Sequence, residues 1–408
     1  MAGKAAKRQK RGREWDVIDV ASKHLNTMGV SIEWFREIAA ELEISRPAIY
    51  NYATDRDDLL FKCYLKACEA FDESFGNASA GGGDAVEVID GFLTDISTRD
   101  GPETAVLSEV EGLPLDKQAI IWSRRNALVA RLSSIIQQGV ADRLFRPLDT
   151  VIVANAVVGM ASWAPLHRRW TAGGELAQGA VGMKEILFRG LAADPKAAHA
   201  KPVCYVRPPP AKVDLFDRRA LEDARREGIL MAASALFNSR GIGGTRVEDV
   251  GSAVGLSKRA IYHYIGQKDV LVDACFERAF KFYLGVMDAA ERLPGSRLEA
   301  VFGALHDVIE ATLDPELSVL VPYVGSGQLS PSARLAVNAY SRRLTEGYRR
   351  LLIEGERDGS IRSLPIDEVV PSLPGVFSWA SNSPSISRDD RGRIADELAT
   401  LTTRGILA

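Results

Sequence analysis

The stretch SKRAIYHYIGQKDVL, at Ser257–Leu271, has a second version, SRPAIYNYATDRDDL, 212 residues earlier at Ser45–Leu59. Eight of nineteen positions are identical when Ser45–Cys63 is aligned with Ser257–Cys275. Self-similarity at a fixed offset indicates a repeated structural unit. The sequence therefore predicts that the unit around this stretch occurs twice.

The repeat extends well beyond the quoted stretch. Upstream, Asn26 pairs with Asn238 at the same offset, and downstream GMASWA at Gly159–Ala164 matches GVFSWA at Gly375–Ala380. Between the copies, Pro208–Pro210 favour an extended spacer over a helix. Two fused units joined by a short linker are predicted.

Helix-boundary signals predict a helix-turn-helix in each copy. In the second copy, Thr245 and Glu248 have the spacing of a capping box that begins a helix, and Gly255 ends that helix. Ser257 is then a good N-cap for the helix that follows. The first copy follows the same plan, although Glu43 replaces the glycine.

The residues after this cap have the chemistry of a DNA-reading helix. Lys258 and Arg259 lie in its first turn, and Tyr262 lies one turn later. Cations and a helix N-terminus both suit the negative potential of the major groove. Lys268, where the next helix would begin, is placed to hold a phosphate, and Arg56 is its counterpart in the first copy.

The N-terminal segment is basic and has no acidic residue before Glu14. It is predicted to be a disordered arm that attaches to phosphates or to the minor groove beside the first reading helix. The alternative is a tail that is only solvated. The predicted arm contacts are Lys7, Arg8, Lys10 and Arg11.

These motifs resemble the TetR (tetracycline-repressor) family of bacterial regulators, whose N-terminal pattern is roughly T-x-x-x-I-A-x-x-x-G-V-S-x-x-x-Y-x-Y/H-F-x-x-K-x-x-L. The second copy has TRVEDVGSAVGLSKRAIYHYIGQKDVLV and the first has EWFREIAAELEISRPAIYNYATDRDDLL. The departures are Glu33 for the threonine, Ala53 and Ile265 for the phenylalanine, and Arg56 for the lysine. The departures in the first copy affect its expected DNA affinity more than its expected fold.

The resemblance implies an all-α fold with two tandem units in a pseudo-twofold internal dimer. Each unit would have an N-terminal three-helix DNA-binding domain, here called a head, and a C-terminal helical domain for ligand binding and dimerisation. The expected domains are a basic arm at 1–13, the first head at 14–65, its regulatory domain at 66–200, a linker at 201–213, the second head at 214–277 and its regulatory domain at 278–408.

Family roles carried over by position, together with the cations named above, give the expected DNA contacts. In the first head they are Ser45, Arg46, Pro47, Tyr50, Asn51, Tyr52 and Arg56. In the second head they are Thr245, Ser257, Lys258, Arg259, Tyr262, His263, Tyr264 and Lys268. The alternative for Tyr50 and Tyr262 is packing against the first helix of the head.

The resemblance also implies an effector pocket in each regulatory domain. The expected lining residues are Phe92, Trp122 and Met160 in the first unit and Phe302, His306, Tyr340 and Phe377 in the second. An apolar stripe that includes Met160 and Trp163 favours packing between the units. Gly159 and Gly375 would let the helices approach closely.

Composition and spacing exclude other classes of protein. The chain is 46% hydrophobic and 26% charged with a net charge of −3, which is ordinary for a globular protein. Five histidines and four cysteines lack metal-ligand spacing, and no phosphate loop or nucleophile elbow is present. Cys63 and Cys275 are expected to be small buried side chains and not redox sensors. No enzyme, metal, cofactor or membrane span is predicted, and the expected location is the cytoplasm.

The expected function is a transcriptional regulator that binds operator DNA sequence-specifically. It would be a repressor that a small apolar or amphipathic effector releases, with both heads of one chain on an asymmetric, pseudo-palindromic operator. One alternative is a ligand-sensing or protein-interaction module in which only the second head binds DNA. Pairing of two chains into an assembly of four heads is also open.

Overall fold

The computed structural model describes residues 2–30, 33–98, 103–170, 176–197, 201–204, 216–321, 328–382 and 388–408. In these ranges the secondary structure is helical, and extended pairing is limited to two isolated bridges. The predicted all-α fold is confirmed. No helix within these ranges is long and apolar enough to span a bilayer.

The helices of the first half fall in one order that the second half repeats. The first half contains α1 (Ala2–Met28), α2 (Trp34–Glu41), α3 (Arg46–Ile49), α4 (Arg56–Ala80), α5 (Ala85–Thr98), α6 (Leu115–Ala141), α7 (Thr150–Trp170) and α8 (Leu176–Lys184), which a π-helical turn extends over Glu185–Arg189. The second half contains α9 (Arg218–Gly244), α10 (Val247–Val254), α11 (Lys258–Tyr264), α12 (Lys268–Glu291), α13 (Arg297–Leu313), α14 (Pro331–Asp358), α15 (Ile366–Phe377) and α16 (Arg391–Arg404). In both halves a long helix, two short helices and a second long helix are followed by four body helices.

Equivalent side chains make equivalent contacts in the two halves. The side-chain amide of Asn26 exchanges two hydrogen bonds of 2.9 Å with the backbone of Thr104–Val106. Asn238 does the same with Val319–Val321, at 2.8 and 2.9 Å. Each asparagine therefore fastens the first helix of its head to the segment that leads into the body.

The two related cysteines also occupy matching environments. Cys63 Sγ lies 3.7 Å from the Ile18 carbonyl oxygen, and Cys275 Sγ lies 3.6 Å from that of Leu230. Both cysteines are free and buried, and burial raises the pKa of each thiol to about 12. Both cysteines are therefore small buried side chains, as the sequence predicts. A thiol that stays protonated at neutral pH is also a poor nucleophile.

The two halves pack through α7 and α8 against α15 and α16. A side chain at Gly159 would collide with Trp379, and one at Gly375 would approach Trp163 within 3.2 Å. Trp163 Nε1 donates a hydrogen bond of 2.8 Å to the carbonyl oxygen of Pro371. The stripe predicted on α7 thus packs against the other half, and the two glycines permit the close approach.

Hydrogen bonds across this contact occur in reciprocal pairs. Arg146 Nε donates to the Gly405 carbonyl oxygen at 2.8 Å, and Arg362 Nε donates to the Gly190 carbonyl oxygen at 2.8 Å. Arg146 and Arg362 follow the equivalent helices α6 and α14, and Gly190 and Gly405 are the C-caps of the last helical segments of the two halves. Reciprocity of this kind is the geometry of a twofold interface.

One prediction needs correction at the N-terminus. Helix α1 begins at Ala2, so the backbone of the segment expected to be a disordered arm is helical. Alanine, lysine, arginine and glutamine are good helix formers, which favours extension of the helix upstream. The side chains of residues 1–11, including the arm contacts Lys7, Arg8, Lys10 and Arg11, lie outside the described residues, as does linker segment 205–213.

Candidate nucleic-acid interface

The helix-turn-helix of the second head consists of α10 and α11. Gly255 between them has φ of 69°, a left-handed conformation that glycine adopts without strain. Ser257 is the N-cap of α11, and its hydroxyl oxygen accepts a hydrogen bond from the Ala260 amide at 3.2 Å. Ile261 is fully buried and anchors α11 to the head. The other face of α11 is left exposed.

This exposed face carries Lys258, Arg259, Tyr262 and His263. Lys258 Nζ lies 2.6 Å from a carboxylate oxygen of Glu248 and 5.7 Å from the centroid of the Tyr262 ring. The hydrogen bond to Glu248 raises the pKa of Lys258. Tyr262 is 39% exposed. The first turn of α11 therefore presents cations beside an accessible phenol, as predicted for a reading helix.

Tyr264 faces the protein instead. It is half-buried, and its hydroxyl oxygen accepts a hydrogen bond of 2.7 Å from Arg225 of α9. The Arg225 guanidinium carbon also lies 5.9 Å from the centroid of the Tyr264 ring. Tyr264 thus holds α11 against α9.

The predicted capping box at Thr245 and Glu248 is wrong. Helix α10 has Arg246 as its N-cap, and the Asp249 carboxylate accepts the Arg246 amide at 2.8 Å. Thr245 is fully buried and donates its hydroxyl to the Gly241 carbonyl oxygen at 2.8 Å. The turn at Gly241 brings this carbonyl to the threonine, which removes Thr245 from the surface where it was expected to contact DNA.

The first head has a shorter helix, α3, at the position equivalent to α11. Tyr50, just after α3, is 51% exposed, and its ring meets the Phe35 ring edge-on with centroids 5.3 Å apart. Tyr50 therefore packs against α2, whereas the alternative expected packing against the first helix, and it keeps half of its surface accessible. The exposed residues around α3 are Ser45, Arg46, Pro47, Tyr50 and Asn51.

Glu43 holds a position in the first head that suits glycine. Its φ is 52°, and it stands where Gly255 stands in the second head. The turn between α2 and α3 therefore has the same backbone course as its counterpart. A side chain is present there at a steric cost.

Tyr52 lies on the inner side of the first head. It is half-buried, and its carbonyl oxygen accepts a hydrogen bond from Lys62 Nζ. Lys62 also forms ion pairs with Glu14 at 3.1 Å and Asp58 at 3.7 Å. Tyr52 thus belongs to a network that joins α1, α4 and the end of α3.

Local cations offset the acidic side chains of the first head. Glu41 lies 2.7 Å from Lys23 Nζ and 2.8 Å from His24 Nε2. The hydrogen bond from Lys23 lowers the pKa of Glu41. Glu33 pairs with Arg36 at 3.1 Å. The acidity seen in the sequence is therefore partly neutralised within the head.

Arg56 and Lys268, the expected phosphate-holding counterparts, both act on a buried carboxylate. Glu109 is 2% exposed, and burial raises its pKa to about 7, although a hydrogen bond from the Val30 backbone and then the charges of Arg56 and Lys268 oppose this shift. Burial and then the charge of Arg56 lower the pKa of Lys268. Glu109 Oε1 has no hydrogen-bond partner in the described ranges, and a side chain at Gly241 would strike the carboxylate. The two cations thus lie near an acid at the junction of the heads.

The predicted pocket residues divide between two cavities and the core. Phe377 lines a cavity of about 590 Å³ within the second half, counted with its opening to solvent. Trp122 lines a different cavity, which lies between the halves. Other walls of the cavity in the second half are Phe280, Tyr283, Leu305, Val308, Tyr348 and Val370.

The remaining pocket candidates pack against neighbouring side chains. Phe92 and Met160 are fully buried in the core. Phe302 stacks on His306 with ring centroids 6.0 Å apart. His306 Nδ1 lies 3.5 Å from the adjacent Asp307 carboxylate, whose hydrogen bond raises the pKa of the imidazole. The Tyr340 ring lies 5.8 Å from a phenylalanine ring that lines the cavity of the second half.

Sequence reasoning missed two buried charged residues, Glu109 and Arg125. Arg125 recurs with Ile121, Leu128 and Leu132 at helical spacing, so an arginine on the apolar face of α6 was a signal that could have been read. Glu109 left no such signal, because its carboxylate meets the backbone of Val30 and that of Gly241 in the second half, and both are distant from it in sequence.

Two family models match the chain. Residues 229–275 match the model described as bacterial regulatory proteins, tetR family, and residues 86–185 match the tetracyclin repressor-like C-terminal domain. The first match runs from the middle of α9 to the first two turns of α12, which includes the exposed face of α11. The second match lies in the body of the first half.

Curated relatives and solved structures are similar to parts of the chain. The HTH-type transcriptional repressor KstR2 of Mycobacterium tuberculosis is 29% identical over 92 residues, which is 22% of this chain and 46% of that protein. The chain thus matches about half the length of these relatives. The TetR family regulator PfmR of Thermus thermophilus is 24% identical, with a TM-score of 0.39 over 45% of this chain and 97% of PfmR. A TetR-family regulator of Bordetella parapertussis is 18% identical, with a TM-score of 0.39 over 44% of this chain and 95% of that protein.

Proposed function

The chain belongs to the TetR family of bacterial regulatory proteins, and from this membership we propose that it is a transcriptional regulator that binds operator DNA sequence-specifically. The observation that carries the proposal is the exposed face of α11, where Lys258, Arg259 and Tyr262 are accessible on one short helix. Such a helix can read base edges with its first turn and hold phosphates with its tyrosine. Regulators of this family are not enzymes, and no catalytic role is proposed.

We further propose that the two units of one chain pair as the two subunits of a homodimer would. The reciprocal hydrogen bonds of Arg146 and Arg362 support this pairing, as does the contact of Gly159 with Trp379. Fusion holds the partners at an effective concentration on the order of millimolar, so the pair should persist at high dilution. One chain would then place two different heads on one asymmetric, pseudo-palindromic operator.

The regulator is proposed to be a cytoplasmic repressor that a small apolar or amphipathic effector releases from DNA. The apolar cavity in the second half, with Phe280 and Phe377 in its wall, supports an effector of this kind. Release would follow if the effector prefers a head spacing that does not fit the operator.

A second candidate function is a regulator in which only the second head binds DNA. Two observations favour it. Helix α3 covers four residues, whereas α11 covers seven. Arg56, the first head's expected phosphate contact, lies 3.6 Å from Asp57 and close to Glu109.

Separate tyrosine substitutions test these functions. DNA fragments selected by the purified protein would be titrated by fluorescence anisotropy with Tyr50→Ala, Tyr262→Ala and the exposed control Leu335→Ala. Two working heads predict that each tyrosine change weakens binding, by roughly tenfold for one lost phosphate contact, and that the control binds normally. A normal affinity for Tyr50→Ala alone would favour the one-head function. Normal affinity for both tyrosine variants would contradict DNA reading by these helices.

A further inference from the structure

A cavity of about 850 Å³, counted with its opening to solvent, lies between the two halves where the heads meet the bodies. Trp122 and Trp163 line it from the first half, and Phe237 and Trp379 line it from the second. This cavity is separate from the apolar cavity inside the second half. It is complete only when the halves are together.

A buried arginine forms part of the cavity wall. Arg125 of α6 is 6% exposed, and one of its terminal nitrogens, Nη1, donates a hydrogen bond of 2.8 Å to Asn155 Oδ1. The other, Nη2, is buried and has no hydrogen-bond partner in the described part of the chain. The guanidinium carbon lies 5.9 Å from the centroid of the Trp122 ring and 6.0 Å from that of Trp379.

Arg125 has no counterion among the residues that the structure describes. Among the described residues, no carboxylate contributes to its electrostatic environment, and burial lowers its pKa to about 10, which leaves it charged at neutral pH. An unpaired buried cation is costly, and such groups are normally matched by an anion. The aromatic rings on either side provide apolar surface but no negative charge. The cavity therefore has a place for one anionic group and apolar walls for the remainder of a ligand.

We propose that this cavity binds a small carboxylic acid with an apolar body, whose carboxylate is held by Arg125 between Trp122 and Trp379. A guanidinium can bind a carboxylate through two parallel hydrogen bonds, and the free Nη2 provides one of them. The apolar body of the ligand packs against Trp163, Leu166 and Phe237.

Ligand binding here would reach both heads, a consequence that rests on the proposed function. The wall includes Gly241 and Ile242, at the end of the first helix of the second head. It also includes Val106 and Leu107, in the segment that Asn26 fastens to the first head. A ligand between these segments fixes their separation and hence the spacing of the heads.

Calorimetric titration with octanoate and with 1-octanol tests the site without DNA. Wild type is expected to bind octanoate at least roughly tenfold more tightly than octanol, because the alcohol has no charge to pair with Arg125. Arg125→Gln should lose that preference, whereas Arg124→Gln, a change at the neighbouring more exposed arginine, should keep it. Without ligand, the Arg125→Gln protein should have a melting temperature equal to or above that of wild type, because the substitution removes a buried charge.

Three results would each contradict the proposed site: wild type fails to bind octanoate, wild type binds octanoate and octanol equally, or Arg125→Gln binds octanoate as tightly as wild type does. Ser162→Phe, which fills the cavity from α7, gives an independent check and should abolish binding of both probes.

Selected DNA is then titrated with and without octanoate. If saturating octanoate leaves the DNA affinity unchanged, only the coupling between the cavity and the heads is contradicted. If the protein does not bind DNA at all, the proposed function is contradicted, and the calorimetry still tests the carboxylate site.

Discussion

At the scale of single residues, two positions hold conformations or charges that cost stability. Glu43 has a left-handed backbone, which non-glycine residues adopt at a cost of about 1 kcal/mol. Glu109 keeps a carboxylate at the junction of the halves, where it is removed from water. Both costs can be measured, because a conservative substitution removes each of them.

Glu43→Gly should stabilise the protein by about 0.5–1 kcal/mol, because glycine adopts the left-handed conformation without a side-chain penalty. The greater conformational freedom of glycine in the unfolded chain opposes part of this gain. Urea unfolding followed by circular dichroism measures the change. Gly255→Glu is the matched control, because a Cβ there would meet nothing within 4 Å and the substitution tests conformation alone. It should destabilise the protein by about 1 kcal/mol. A change of the same sign in both variants would be inconsistent with this explanation.

Glu109 should make stability depend on pH. Its pKa is raised from 4.5 to about 7 on folding, so the folded state holds the proton more tightly than the unfolded state. The stabilisation from this proton is fully present below the unfolded pKa and is lost as pH rises through the folded pKa. Glu109→Gln should therefore be more stable relative to wild type at pH 8 than at pH 5, by about 1–3 kcal/mol. If the difference between the two proteins were the same at both pH values, the carboxylate would not titrate as inferred.

At the scale of helices, the sequence predicts elements well where a local signal defines them. Gly255 ends α10 and Ser257 begins α11 as predicted, because a left-handed glycine and a cap act through their own neighbours. The start of α10 was misplaced because Arg246 and Asp249 have the same spacing as Thr245 and Glu248, and only the tertiary turn at Gly241 decides between the pairs. The cavity beside Arg125 could not be predicted from the sequence, because its wall requires both halves of the chain.

The fit of α7 against α15 predicts opposite effects for two glycine-to-alanine substitutions. A Cβ at Gly159 would strike Trp379, so Gly159→Ala should cost about 1–3 kcal/mol through overpacking. Gly76 lies exposed in α4 with nothing within 4 Å, so Gly76→Ala should gain up to about 1 kcal/mol from helix propensity. Thermal unfolding measures both. A gain in stability from Gly159→Ala would argue against the close approach of the two helices.

For the protein as a unit, the proposed pairing of two units within one chain would let the two heads diverge. A homodimer must change both heads at once, whereas this chain has SRPAIYNY at one head and SKRAIYHY at the other. The differences fall at the turn that faces bases in the proposed function, namely Arg46 against Lys258, Pro47 against Arg259 and Asn51 against His263. The internal pair of halves would keep such unequal heads at a fixed separation.

The two half-sites of the operator should therefore differ in sequence. Each half-site should be read by one head, so exchanging the half-sites, or replacing one with a copy of the other, should weaken binding by about 1–3 kcal/mol for each mismatched base contact. The matched variant carries Arg46→Lys, Pro47→Arg and Asn51→His, which gives both heads the same reading turn, and it should prefer a symmetric operator built from the half-site of the second head. Footprinting and competition binding with the three operators measure this preference. The prediction would be contradicted if wild type bound the symmetric and natural operators with equal affinity and the matched variant did so too. The sequence difference between the heads would then have no part in operator recognition.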